Sequence, residues 1–159
     1  MSARSETVGL LLTILDEAYE KAAWHGPNLK GSLRGVTPRA ASFRPAPKRH
    51  SIRELVLHAA YWKYAVRRRL FGGARGSFPL SGSNWFLREG TVSAADWKRE
   101  RALLEEQHRR LRAAVARLRR APGPSARRQI YGIAFHDLYH TGQIQYVKRL
   151  YRSARGGGP

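Results

Sequence analysis

Two histidines near the end of the chain have the spacing of a metal-chelating pair. His136 and His140 lie four residues apart in the stretch FHDLYHTGQI. Four residues is slightly more than one turn of an α-helix, so both imidazoles would project from one face. Neighbouring residues on that face, Ile133 and Ile144, are apolar, which favours an interior position. A shared metal ion explains a buried pair, whereas a solvated helix edge is the alternative for an exposed one.

A third histidine has the apolar surroundings of a core position. His58 lies on the same helical stripe as Leu55 and four residues before Trp62. Taken alone, such a residue is more often a core histidine with a hydrogen-bond partner than a metal ligand. Three buried imidazoles without a common partner would each be costly, whereas a catalytic metal site uses about three protein ligands and one open position. The sequence therefore predicts that His58, His136 and His140 share a divalent cation.

The same segment has a weak likeness to a metalloprotease motif. Asp137 follows His136 as a glutamate follows the first histidine of HExxH, where it acts as the general base. Aspartate is one methylene shorter, and the 19 residues after His140 contain no His, Asp or Glu. The third ligand must come from upstream, which disfavours a protease. Asp137 and Gln143 are instead candidates for partners that orient a ligand imidazole through a hydrogen bond.

Aromatic side chains are candidates for the walls of a pocket beside the metal. The tryptophans in question are Trp24, Trp62 and Trp85, although a plain core role is the simpler interpretation of Trp62. The other histidines are interpreted as lying outside the site, in loops or on a solvated helix face: His25, His50 and His108.

Four helical stretches with apolar periodicity must position these side chains. They run roughly over residues 7–24, 51–70, 94–118 and 125–151, with Ser51, Ser93 and Ser125 as N-cap candidates. Two long connections rich in proline, glycine and serine, over 25–50 and 72–92, argue against simple up-down-up-down order. The pattern predicts an all-α fold, a four-helix bundle with long crossover connections over residues 1–152, followed by a disordered tail over 153–159.

The composition is that of a single globular domain. The chain has 159 residues, with 42% hydrophobic and 10% aromatic content. It contains no cysteine, so disulfides, thiolate metal ligands and cysteine nucleophiles are excluded. No apolar run is long enough for a membrane span, and the first helix is amphipathic and acidic rather than a signal peptide. We therefore expect a cytoplasmic protein that does not enter the membrane.

The net charge of +19 is the strongest compositional signal. A basic surface supplies phosphate affinity, so a nucleic-acid-binding or scaffold bundle with a structural metal is the alternative function. The excess of arginine over lysine and the abundance of alanine also fit a coding bias towards G and C. Nucleic-acid binding is therefore not the favoured interpretation.

Two segments together resemble a known family. SIRELVLHAAYWKYAVRRRL, followed much later by HDLYHTGQI, is similar to the DinB-like (YfiT-like) superfamily, and the resemblance covers nearly the whole chain. It implies a helical bundle in which three histidines bind a divalent metal, often zinc or nickel. The motif positions correspond to His58, His136 and His140. Characterised members include bacillithiol transferases and mycothiol-dependent maleylpyruvate isomerase.

The resemblance implies the fold and the metal site far more than the reaction. We expect a metal-dependent enzyme, a thiol-dependent transferase or a hydrolase, that acts on a small molecule that is acidic or linked to a thiol. An external low-molecular-weight thiol is a candidate cofactor, since the chain has no cysteine of its own. A homodimer is also expected.

Overall fold

The computed structural model describes the backbone of residues 3–156 and the side chains of residues 6–156. Within that range the chain forms six helices and no strand, which confirms the all-α prediction. The helices are α1 (Ala3–Tyr19), α2 (Leu29–Ser32), α3 (Pro38–Ser42), α4 (Ile52–Phe71), α5 (Ala94–Ala116) and α6 (Pro124–Ala154). Among these residues, no helix combines the length and the apolar character needed to cross a membrane.

The start of α4 organises the segments around it. Glu54 Oε2 accepts a hydrogen bond from the Ser51 backbone N–H at 3.0 Å, and Ser51 Oγ accepts one from the Glu54 N–H, which forms the predicted capping box. The buried Glu54 carboxylate also accepts from the Arg44 guanidinium and, at 2.8 Å, from the Arg88 backbone N–H. One side chain thereby attaches both the first connection (residues 20–51) and the second connection (residues 72–93) to α4.

The other helix boundaries agree with the sequence only in part. Ser93 caps α5, because its Oγ accepts from the Asp96 backbone N–H at 3.0 Å. The predicted cap at Ser125 is wrong: α6 begins one residue earlier, at Pro124, after Gly123, which makes no side-chain cap bond. Proline suits the first helical position because its fixed φ is already helical and its missing N–H is not needed there.

The first helix ends earlier in the chain than the sequence predicted. α1 stops at Tyr19, so residues 20–24 belong to the first connection, which also contains the short helices α2 and α3. At the opposite end of the chain, α6 includes Ser153 and Ala154, which the sequence assigned to a disordered tail. Residues 157–159 of that tail lie outside the described residues.

The long helices pack so that α4 and α6 meet in the interior. α4 contacts both α5 and α6, and α1 contacts the same two helices from the other side. Two clusters of buried side chains result, one centred on α4 with Ile52 and Leu57, the other joining α1, α5 and α6 through Leu15, Leu111 and Ile130. Burial of such side chains contributes roughly 1.5–3 kcal/mol each relative to exposure. The α4–α6 contact places His58 opposite the His136–His140 pair.

Candidate metal centre

The three predicted ligand histidines converge on one point. The Nε2 atoms of His58 and His136 are 3.0 Å apart, and those of His136 and His140 are 3.1 Å apart. One ligand nitrogen of each residue lies within 4.8 Å of the other two. His58 and His140 are buried and His136 is half-buried. The i,i+4 spacing on α6 and the contact with α4 therefore produce one cluster from residues far apart in the sequence.

Hydrogen bonds on the far side of two rings determine which nitrogen faces the cluster. His58 Nδ1 donates to the Asn84 backbone carbonyl at 2.8 Å, and His140 Nδ1 donates to Gln143 Oε1 at 2.6 Å. Because both partners are acceptors, Nδ1 must bear the proton in each ring and Nε2 is left with its lone pair. His136 Nδ1 is buried and has no hydrogen-bond partner among the described residues.

This donor set fits a divalent cation. Three nitrogen ligands at about 2.1 Å from a tetrahedral ion would be roughly 3.4 Å apart, and the observed separations of 3.0 and 3.1 Å are close to that value. Three lone pairs that face each other repel unless a proton or a cation lies between them. Imidazole nitrogen suits zinc, copper, iron and nickel, so the ligands alone do not select the metal.

Burial keeps the histidines in the form that binds a metal. Loss of solvation lowers the pKa of His58 to about 4, although its hydrogen bond with Asn84 opposes the change. Burial, with the neighbouring His140 and His58, lowers the pKa of His136 to about 3. Burial also lowers the pKa of His140. All three imidazoles are therefore neutral near pH 7, as coordination requires.

Two of the three predicted tryptophans lie beside the cluster. The Trp85 ring stacks on His58, with centroids 3.7 Å apart, and His50 stacks on its opposite face at 3.5 Å. Trp62 meets His58 edge-on, with centroids 6.3 Å apart, and its Nε1–H donates to Asn84 Oδ1 at 2.9 Å. The prediction for Trp24 is wrong: its side chain is 102% exposed, because α1 ends five residues before it.

Asp137 does not orient a ligand imidazole, contrary to the sequence-based prediction. Its Oδ2 accepts a hydrogen bond from Lys63 Nζ, and its Oδ1 has no partner among the described residues. The Lys63 and Asp137 side chains are 0% and 1% exposed, so this is a fully buried ion pair. Burial raises the pKa of Asp137 to about 6, against the opposing effect of Lys63. The pair links α4 to α6 one residue away from His136.

His108 belongs to the same buried network, so its predicted place on a solvated face is wrong. It is 3% exposed, and its ring stacks on Tyr19 with centroids 3.8 Å apart. Its Nδ1 lies 3.4 Å from Lys63 Nζ. Burial, with the Lys63 charge, lowers the pKa of His108 to about 2, so the ring is neutral and Nδ1 can accept from the ammonium.

Sequence reasoning missed two residues of the site's surroundings. Asn84 supplies the carbonyl that orients His58, and it adopts a left-handed φ of 62°, which asparagine tolerates better than most residues. His50, interpreted as an ordinary loop residue, lies in the first connection and packs on Trp85. Backbone contacts from a loop leave no periodic signal, so only the choice of asparagine itself pointed to a special conformation at 84.

The packed helices and the histidine cluster define the class: an all-helical protein with a candidate centre for a divalent metal. A family model described as the DinB superfamily matches residues 22–144, which is well over half of the chain and includes all three histidines. The chain belongs to the DinB superfamily. Neither the curated proteins nor the solved structures contained a match to it.

Proposed function

We propose that the protein is a divalent-metal-dependent enzyme whose metal is held by His58, His136 and His140. The observation that supports this most directly is the convergence of three Nε2 atoms at 3.0 and 3.1 Å, with two of the rings held from behind by Asn84 and Gln143. Three protein ligands leave one coordination position for a reactant, which is the pattern of catalytic rather than structural sites.

The proposed reaction is transfer or hydrolysis at that open position. A divalent cation there would lower the pKa of a water or thiol ligand and so supply a nucleophile near neutral pH. The residues of this chain would hold the ion, keep the imidazoles in the correct tautomer and exclude bulk solvent with the rings of Trp62 and Trp85. An external low-molecular-weight thiol is the proposed cofactor for the transferase reaction, because the chain has no cysteine.

Membership of the superfamily also supports a proposal about architecture. We infer that α1, α4, α5 and α6 form a four-helix bundle, with the first and second connections as its long crossovers. Zinc and nickel are the metals proposed from the family resemblance. We further propose that the protein works in the cytoplasm as a homodimer.

The experiment that tests this function measures metal content first and turnover second. Protein purified without an affinity tag should contain close to one equivalent of a divalent metal by elemental analysis, and His58→Ala should lose most of it. His25→Ala is the matched control, since His25 is an exposed residue of the first connection and should leave the metal content unchanged. A screen of thiol transfer and ester or amide hydrolysis would then compare wild-type protein with His58→Ala. A full equivalent of tightly bound metal in His58→Ala would disprove the three-histidine site.

A further inference from the structure

A cavity lies next to the histidine cluster, between the first connection and α6. It has a volume of about 390 Å³ and is lined by His50 of the first connection, by Leu55 of α4 and by Gln143 and Tyr146 of α6, among others. Small-molecule sites usually measure from about 300 to 1,000 Å³. We refer to this space as the His50 cavity, and its size suits a small ligand rather than a polymer.

One direct contact and one indirect contact join the His50 cavity to the histidine cluster. Gln143 lines the cavity and accepts the hydrogen bond from His140 Nδ1. His50 lines it as well and stacks on Trp85, which stacks in turn on His58. A molecule in the cavity would therefore contact Gln143, which touches His140, and His50, which is separated from His58 by the Trp85 ring.

The charged groups at the rim of the cavity are positive. Lys48 and Arg49 line it, both are exposed, and neither side chain forms an ion pair within residues 6–156. No carboxylate lines the cavity. The Glu54 carboxylate lies 3.4 Å from His50 Nδ1, but it is buried and bound to Arg44. The rim thus offers two uncompensated cations to a ligand.

The inner surface of the cavity is apolar. Leu55 and Val147 are buried core residues that reach it. Leu150 of α6 is partly buried, and Tyr146 lies at the exposed edge of the lining. A cationic rim above an apolar wall is complementary to an amphiphilic anion. A bare inorganic ion would leave the apolar wall without a partner, and a neutral apolar molecule would leave the cations without one.

The backbone conformation also distinguishes this region. Among the described non-glycine residues, positive φ occurs only at Lys48, at 61°, and at Asn84, at 62°. One lies on the rim of the His50 cavity and the other orients His58. Left-handed backbone costs roughly 1–2 kcal/mol for residues with a side chain, and such conformations occur preferentially at functional sites.

We propose that the His50 cavity binds small organic acids, with the carboxylate at Lys48 and Arg49 and the apolar body against Leu55, Val147 and Leu150. This assigns a substrate class to the proposed enzyme and rests on that function for its catalytic meaning. The binding step itself requires only the cavity. Gln143 would place the bound acid beside His140, one of the proposed metal ligands.

The test uses 4-phenylbutyrate as the probe and 4-phenylbutan-1-ol as its uncharged counterpart. Binding to the full chain is measured by calorimetry at physiological salt, with and without added zinc. Trp85 stacks on the cavity-lining His50, so its indole resonance, identified by its loss in Trp85→Phe, reports whether the probe binds next to His50. We expect the acid to bind about tenfold more tightly than the alcohol and to shift the Trp85 resonance, since a charge-assisted contact is made only by the carboxylate.

Charge variants then locate the contact. The double variant Lys48→Gln/Arg49→Gln should weaken binding of the acid about tenfold and leave binding of the alcohol unchanged. Arg120→Gln is the control for loss of positive charge, because Arg120 is exposed and lies between α5 and α6, outside the cavity lining. Equal affinity for acid and alcohol, an equal effect of Arg120→Gln, an unmoved Trp85 resonance or no binding of the acid would each overturn the proposal.

The two proposals fail in different ways. Protein that binds the acid but no metal would refute the metal-dependent function and leave the cavity assignment intact. Protein that holds metal in wild-type and Lys48→Gln/Arg49→Gln forms but does not bind the acid would refute the cavity assignment alone.

Discussion

Replacing Lys63 with methionine should destabilise the protein by about 3–4 kcal/mol at pH 7. The change removes the ammonium from a pair whose members are both buried, and leaves the Asp137 carboxylate without its cation. Breaking a buried pair on one side typically costs about 3–5 kcal/mol. Asp137 can limit the loss by taking up a proton. Because the pKa of an aspartate in the unfolded chain is near 3.9, protonating Asp137 at pH 7 costs about 4 kcal/mol of free energy.

The same reasoning predicts that the loss of stability in Lys63→Met becomes smaller as the pH falls. A carboxyl group whose pKa is raised on folding is easier to bury at low pH, because less free energy is needed to protonate it. At pH 5 the protonation cost falls to about 1.5 kcal/mol. Wild-type Asp137, whose pKa is about 6, also takes up a proton over this range. The difference in unfolding free energy between wild type and Lys63→Met should therefore shrink by only about 1–1.5 kcal/mol between pH 7 and pH 5.

The assay is urea unfolding of metal-free protein followed by circular dichroism. Lys63→Met/Asp137→Asn should recover at least half of the lost stability, since it no longer buries an unpaired charge. Lys98→Met, an exposed substitution on α5, should change stability by less than about 0.5 kcal/mol. A loss below about 1 kcal/mol in Lys63→Met, or one that does not depend on pH, would refute the view that Asp137 and Lys63 form a charged buried pair.

Three further predictions concern the metal, acid sensitivity and charge. Gln143→Ala should weaken metal binding about 10–100-fold in a competition with a chromophoric chelator, whereas Gln129→Ala on the same helix should not. Metal-free protein should lose stability in urea unfolding as the pH falls from 6.5 towards 4. The depressed pKa values of His58, His108 and His136 mean that these three rings take up protons there only in the unfolded chain, and each contributes about 1.4 kcal/mol per pH unit. Together they outweigh the one proton that folded Asp137 takes up over the same range. Unchanged stability at pH 5 would contradict those buried, neutral rings. Fluorescence anisotropy at physiological salt should show no sub-micromolar, sequence-selective DNA binding, despite the charge of +19.

The helices and the histidine cluster were predictable because both depend on local periodicity. The i,i+4 spacing of His136 and His140, with apolar neighbours, indicated one buried face, and His58 lay on an apolar stripe of another helix. The capping box at Ser51 and Glu54 marked the start of α4 to the residue. These signals depend only on residues that are close together in the sequence, so they can be recognised without knowledge of the tertiary structure.

The buried positions of His108 and Asp137 were missed because their polar character was given more weight than their helical spacing from buried residues. His108 is surrounded in sequence by charged residues, yet it shares the buried stripe of Leu104, Leu111 and Val115 at helical spacing. Asp137 lies on the corresponding stripe of α6, three and four residues from buried neighbours. Periodicity could have placed both inside. Their partners could not have been inferred, because Lys63 lies on another helix and the contact depends on how α4 packs on α6.

The three imidazoles differ in the hydrogen bonds that their Nδ1 atoms form, and this difference affects any ion bound between them. His58 and His140 donate Nδ1–H to oxygen acceptors, which makes their Nε2 atoms richer in electrons, and His136 has no such acceptor among the described residues. Three chemically identical ligands therefore differ in donor strength. A cation held by these three residues would therefore be bound least strongly by His136.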